Sequence, residues 1–133
     1  MTTDLKNILY VEDEEDIATV VVMTLEELGD FEIKHCPCGQ EALDAFPEFD
    51  PQLVILDVMM PGMDGPATLA NLRKFKGADE VPVIFMTAKA QAHEQQRYMN
   101  LGAIGVITKP FDPMTLPDAV TELWENRESV PAM

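Results

Sequence analysis

Asp57 closes the apolar run Leu53-Val54-Ile55-Leu56 and opens the turn-rich stretch Met59-Met60-Pro61-Gly62-Met63-Asp64-Gly65. A carboxylate at the C-terminal end of a buried strand stands where open α/β sheets bind their ligands. The pattern recurs along the chain. Tyr10-Val11 runs into Glu12-Asp13, Val83-Ile84-Phe85-Met86 runs into Thr87, and Val106-Ile107 leads to Thr108-Lys109-Pro110. Acids, a hydroxyl and a lysine at successive strand ends suit a divalent cation and a phosphoryl group.

The loop after the first strand decides against other ligands. Glu12-Asp13-Glu14-Glu15-Asp16 contains neither glycine nor hydroxyl, so it would repel a nucleotide or flavin phosphate and attract a hard cation. Asp13 and Asp57, with water and a backbone carbonyl, would supply the few oxygen ligands that Mg²⁺ takes. Without a cation, two carboxylates ~4 Å apart repel by ~4 kcal/mol at an effective dielectric of ~20. A cation and Lys109 beside Asp57 would also prepare that carboxylate to attack phosphorus and form an aspartyl phosphate. Thr87 would then hydrogen-bond a phosphoryl oxygen, and the loop and helix after it would repack as a switch.

The elements that must position these groups alternate. Leu5–Val11 reads as the first strand. A helix follows over 14–28, with an acidic first turn, an apolar face of Ile17, Val21, Leu25 and Leu28, and Gly29 as its stop. Val20-Val21-Val22 favours a strand locally, but the helical pattern prevails over it. Phe31–Cys36 alternates like an edge strand. Gly39–Phe46 is a short helix ended by Pro47, Leu53–Asp57 a central strand, Pro66–Lys76 a helix, and Pro82–Thr87 another buried strand. A helix over 92–101 and a strand over Gly105–Thr108 precede a last helix carrying Leu116, Ala119, Val120, Leu123 and Trp124. A start of that helix at Asp112 would put Pro117 in its interior, so a start near Thr115 is preferred. Five strands alternating with five helices make a doubly wound parallel sheet of order 2-1-3-4-5. Residues 1–126 form one domain, and 127–133 read as a short polar tail with no output domain.

Bulk properties narrow the partners. The 133 residues carry a net charge of −15, which opposes direct binding to nucleic acid or to anionic membranes. Cys36 and Cys38 flank Pro37 too tightly for an ordinary disulfide and read as free thiols. No signal peptide or membrane span is recognisable, so a cytoplasmic protein is expected. His35 and His93 read as structural or surface residues, and the nine methionines and Trp124 as core filling. Glu14, Glu15 and Asp16 read as a helix start, and Asp64 as a turn residue.

Along essentially its whole length the chain resembles the receiver domain of two-component response regulators. The resemblance rests on Glu12-Asp13, the stretch Asp57 to Gly65, Thr87-Ala88 and Lys109-Pro110-Phe111, in the family's order and spacing. It implies that Asp57 accepts phosphate from a histidine kinase or histidine phosphotransfer protein. It implies Mg²⁺ held by Asp13, Asp57 and the Met59 carbonyl, with Glu12 acting mostly through water, and a cis Lys109–Pro110 bond. It implies a switch with at most self-phosphorylation and slow self-dephosphorylation, signalling to a downstream protein through a face that would include Arg97, Tyr98, Asp118, Glu122 and Glu125.

One departure bears on output. Three positions before the lysine the family usually carries an aromatic residue, and this chain has Val106. Met59 and Lys89 occupy positions that tune phosphate lifetime in the family, one by shielding phosphorus and one by pairing with the phosphoryl group. A phosphohydrolase with an aspartate nucleophile would want a second carboxylate where Met59 stands. A relay that passes phosphate on, and a phosphate-independent binding module, are the alternatives.

Overall fold

The computed structural model describes residues 4–89 and 91–127. Five strands, β1 (Asn7–Val11), β2 (Glu32–Cys36), β3 (Leu53–Asp57), β4 (Val83–Thr87) and β5 (Gly105–Thr108), form one parallel sheet in the order β2-β1-β3-β4-β5. They alternate with α1 (Glu15–Glu27), α2 (Gly39–Phe49), α3 (Gly65–Leu72), α4 (Ala92–Asn100) and α5 (Leu116–Glu125), plus a 3₁₀ turn at Ala78–Glu80. Every residue of β3 and β4 is buried, as befits strands covered on both faces. β2 alternates, as the edge strand it is.

Period-two alternation sorts the strand residues into two cores. Leu9, Val11, Val54, Leu56, Val83 and Phe85 pack with Phe46 of α2, Leu69 of α3 and Tyr98 of α4. Ile8, Tyr10, Leu53, Ile55, Ile84 and Met86 pack with Val21 and Leu25 of α1 and Val120 and Trp124 of α5. With both faces filled, the chemistry is confined to the edge where the strands end. Register sets Val11 beside Leu56, Asp57 beside Met86 and Thr87 beside Thr108, so all those ends share one edge.

Several expected boundaries move. α2 runs through Pro47 to Phe49 and closes on Asp50, whose left-handed φ of 51° turns its N–H onto the Phe46 carbonyl. Proline there forfeits one bond, worth about 1 kcal/mol net. Burying the Phe46 ring and half-burying Phe49 outweighs that loss. α3 stops at Leu72 instead of reaching Lys76. The Lys74 and Phe75 N–H groups donate to carbonyls three residues back, and the Arg73 guanidinium donates to the Ala78 and Val81 carbonyls. Those bonds tighten the chain out of the helix before Gly77, whose φ is 80°.

The buried face of α1 is Ala18, Val21, Thr24 and Leu25, while Leu28 is exposed beyond the helix end. The core-filling role of methionine holds for Met60 and Met86 but not for Met23, Met59 or Met114, which are exposed. α5 starts after Thr115, which places Pro117 in its first turn. Arg127 stacks its guanidinium 3.7 Å from the centre of the Trp124 ring. The rest of the expected polar tail, 128–133, lies outside the described residues.

Tyr98 was expected on an exposed face and is instead buried. It is the one fully buried residue of a mostly polar helix, with Met99 half-buried beside it, and its ring lies 5.2 Å from that of Phe85. Tyr98→Ala should cost about 3 kcal/mol in urea unfolding. Hydrogen exchange should show α4 amides losing protection ahead of the sheet. Equal loss across the sheet would contradict the anchoring role.

Candidate functional site

Glu12 follows β1 and is fully buried, and Asp57 ends β3 at 3% exposure. The turn after β5 returns Lys109 to both, its Nζ 2.8 Å from Glu12 Oε1 and 2.8 Å from Asp57 Oδ1. The Lys109–Pro110 bond is cis, as the resemblance implies. Asp13 stands beside the pair, and Glu12, Asp13 and Asp57 each offer an oxygen within 4.8 Å of the others. Asp13 Oδ1 is buried without a hydrogen-bond partner, alone in this among the described residues. An unpartnered carboxylate oxygen facing two more acids is a donor set that a hard cation fits.

Thr87 ends β4, buried. Its carbonyl accepts from the Lys109 N–H at 2.9 Å and its hydroxyl oxygen accepts from the Lys89 N–H at 3.0 Å. The hydroxyl therefore keeps its own proton to donate. Met59 and Lys89 are both exposed and line one cleft of about 550 Å³ with Asp64, Glu94, Arg97 and Tyr98. Asp64 also caps α3, its Oδ1 accepting from the Ala67 N–H at 2.9 Å. Val106 is half-buried against the core that holds Phe85 and Tyr98.

Charge at the site is unevenly matched. Burial raises the Asp57 carboxyl above its ordinary value, the Lys109 hydrogen bond opposes that, and the Glu12 charge adds to it. Burial by itself would lower the Lys109 ammonium, but hydrogen bonds to Asp57 and Glu12 outweigh it and hold the proton on. Tyr10 is raised by burial and by the Glu12 charge, so it stays a phenol. One ammonium thus faces three carboxylates.

Two further residues sit at the site. The Tyr10 hydroxyl donates to Glu12 Oε1 at 3.3 Å, and His35 Nε2 lies 2.9 Å from the Glu12 carbonyl oxygen. The Glu14 N–H adds a bond to Glu12 Oε2 at 3.3 Å. Glu12 is therefore held directly by protein groups. His35 had no visible partner in sequence. The signal available was register, since Tyr10 and His35 are paired on neighbouring strands just before both strands end.

The family model of the response regulator receiver domain matches residues 8–121. The chain belongs to the response regulator receiver domain family. The receiver is 43% identical over 107 residues to the uncharacterized transcriptional regulatory protein YkoG of Bacillus subtilis, covering 80% of this chain and 45% of that one. It is 37% identical over 123 residues to the alkaline phosphatase synthesis transcriptional regulatory protein PhoP of the same organism, covering 92% and 50%. The receiver spans about half the length of these curated relatives. Among solved structures, the chemotaxis response regulator CheY4 of Vibrio cholerae superposes with a TM-score of 0.82 at 28% identity, covering 90% of the receiver and 99% of that chain. Among the described residues no helix is long and apolar enough to cross a membrane.

The raised Asp57 carboxyl sets a pH dependence. The native state binds more protons than the unfolded chain between the ordinary carboxylate value and the raised one, so stability falls as pH rises through that window. In metal-free buffer at neutral pH, Asp57→Asn should be more stable than the wild type by on the order of 1–3 kcal/mol. The gain should vanish as pH falls below the ordinary carboxylate range. Urea unfolding across pH reads this out, and a gain independent of pH would contradict it.

Proposed function

We propose that Asp57 is the acceptor in a phosphoryl transfer from a phosphohistidine on a histidine kinase or phosphotransfer protein. The observation that carries this reading is the buried Asp57 carboxylate with Lys109 Nζ at 2.8 Å. An Asp57 oxygen forms a bond to phosphorus as the P–N bond breaks, and the imidazole leaves with the electron pair. Lys109 stabilises charge on the transferring oxygens, and the Thr87 hydroxyl donates to one of them. Asp13 and Asp57, with the Met59 carbonyl, would hold Mg²⁺, which supplies charge neutralisation to the acids and the phosphoryl group. The unpartnered Asp13 oxygen supports this assignment. Met59 and Lys89, facing one cleft, tune access of water to the phosphoryl group.

The chain works as a switch with at most self-phosphorylation and slow self-dephosphorylation. Phosphorylation draws on the free proton of the Thr87 hydroxyl, and because the Lys89 N–H donates to the same oxygen, a movement of Thr87 toward the phosphoryl group disturbs the turn into α4. The output is a protein partner on the α4–β5–α5 face, where Arg97, Asp118, Glu122 and Glu125 are exposed. Three acids to one base favour a partly basic partner. The half-buried Val106 favours a second reading, a relay in which phosphate is passed on and little shape change reaches α4.

Incubation with Mg²⁺ and acetyl phosphate should add one phosphoryl group to the wild type and none to Asp57→Ala, read by intact mass. Beryllofluoride should shift amides in α4 if the chain is a switch. Shifts confined to the residues around Asp57 and Thr87 would support the relay. An adduct that survives Asp57→Ala, or none on the wild type, would contradict the acceptor assignment.

A further inference from the structure

The β1–β2 ladder ends in an unusual way. Tyr10 pairs with His35 and Val11 with Cys36, and the last backbone rung is the Glu12 N–H to the Cys36 carbonyl at 3.1 Å. The next rung of a parallel ladder would bring the N–H of residue 38 to the Glu12 carbonyl. The chain leaves the sheet at Pro37, and Cys38 instead stands at the N-cap position of α2, its carbonyl accepting from the Ala42 N–H. The Glu12 carbonyl takes His35 Nε2, at 2.9 Å, in place of that donor. A carbonyl can only accept, so Nε2 carries the proton and the tautomer is assigned by its partner.

We propose that His35 is a positioning residue that fixes the acidic loop for the cation, an inference that rests on the phosphoacceptor reading above. The Glu12 carbonyl and the Asp13 nitrogen share one rigid peptide plane. Holding that carbonyl holds the root of Asp13, whose Oδ1 is the unpartnered buried oxygen of the site. Glu12 is gripped from its other sides too. Its N–H is on Cys36, and its carboxylate is on Lys109 and on the Tyr10 hydroxyl. The Tyr10 and His35 rings lie 5.7 Å apart, so the two groups that hold Glu12 from β1 and β2 also pack on each other. His35 itself contributes no ligand atom. Its effect reaches the site through the 12–13 peptide, as outer groups that orient metal ligands do.

The test is Mg²⁺ titration calorimetry on the full chain, comparing wild type with His35→Ala, His35→Phe and His35→Gln. The alanine and phenylalanine variants should bind Mg²⁺ about tenfold more weakly, while glutamine, whose amide can donate to the same carbonyl, should recover most of the affinity. In acetyl phosphate reactions the half-saturating Mg²⁺ concentration should rise in the first two variants, with the rate at saturating Mg²⁺ unchanged. Imidazole ¹⁵N shifts of the wild type should show the Nε2-protonated tautomer. His35→Phe binding Mg²⁺ as tightly as wild type would reduce His35 to ring packing and overturn the proposal, as would an Nδ1-protonated ring. Should His35→Ala fail to fold, the phenylalanine variant and the ring shifts still decide. If the wild type itself binds no Mg²⁺, the phosphoacceptor reading falls first and this inference with it.

Discussion

Three carboxylates converge on one edge of the sheet and a single ammonium faces them. Like charges this close repel by several kcal/mol unless a cation joins them. The fold exists in a form that forces the encounter. The order β2-β1-β3-β4-β5 sets β1 beside β3 and brings their ends, Glu12-Asp13 and Asp57, together. Lys109 arrives from β5, on the far side of β4, and bonds to one oxygen of Glu12 and one of Asp57. That leaves the third acid unmatched. Asp13 keeps a buried oxygen with no partner, and both faces of the sheet are too well filled for any of these groups to retreat into a core.

The same edge connects the site to the helix most easily moved. Thr87 is tied through its carbonyl to the Lys109 N–H and through its hydroxyl to the Lys89 N–H. Beyond Lys89 the chain enters α4, which the core holds chiefly by the Tyr98 ring on Phe85. A mostly polar helix with one fully buried residue has little apolar burial to lose, and such elements open at low free energy. Val106 packs against the same core, paired with Phe85 across β4 and β5, in place of the ring the family usually carries at β5. The Tyr98 ring that packs on Phe85 is contributed by α4, so a displacement of α4 moves its own anchor.

Much of this was legible in the sequence because it depends on local patterns. Apolar runs ending in an acid or hydroxyl marked the strand ends, the edge-type alternation of Phe31–Cys36 placed β2, and Pro117, which a start at Asp112 would put in the helix interior, located the start of α5 near Thr115. What stayed hidden depends on tertiary contact. Pro47 reads as a stop, yet Phe46 and Phe49 on either side of it need the helix to continue into the core. The early end of α3 follows from Arg73 bonding to carbonyls five and eight residues ahead, which no periodicity announces. Tyr98 looks like a surface residue among Gln95, Gln96 and Arg97, and only the approach of Phe85 shows otherwise. His35 is meaningful only once register sets it against Tyr10 and Pro37 turns the chain away.

The central claim is that the acidic edge needs a divalent cation to be at rest. Its most direct test is the unfolding free energy measured in urea over a Mg²⁺ series at constant ionic strength, for wild type and Asp13→Asn. Wild-type stability should climb by up to about 1.4 kcal/mol per decade of Mg²⁺ above the dissociation constant, and Asp13→Asn should lose most of that slope. A wild type whose stability ignores Mg²⁺, or an Asp13→Asn variant that responds as fully as the wild type, would contradict it.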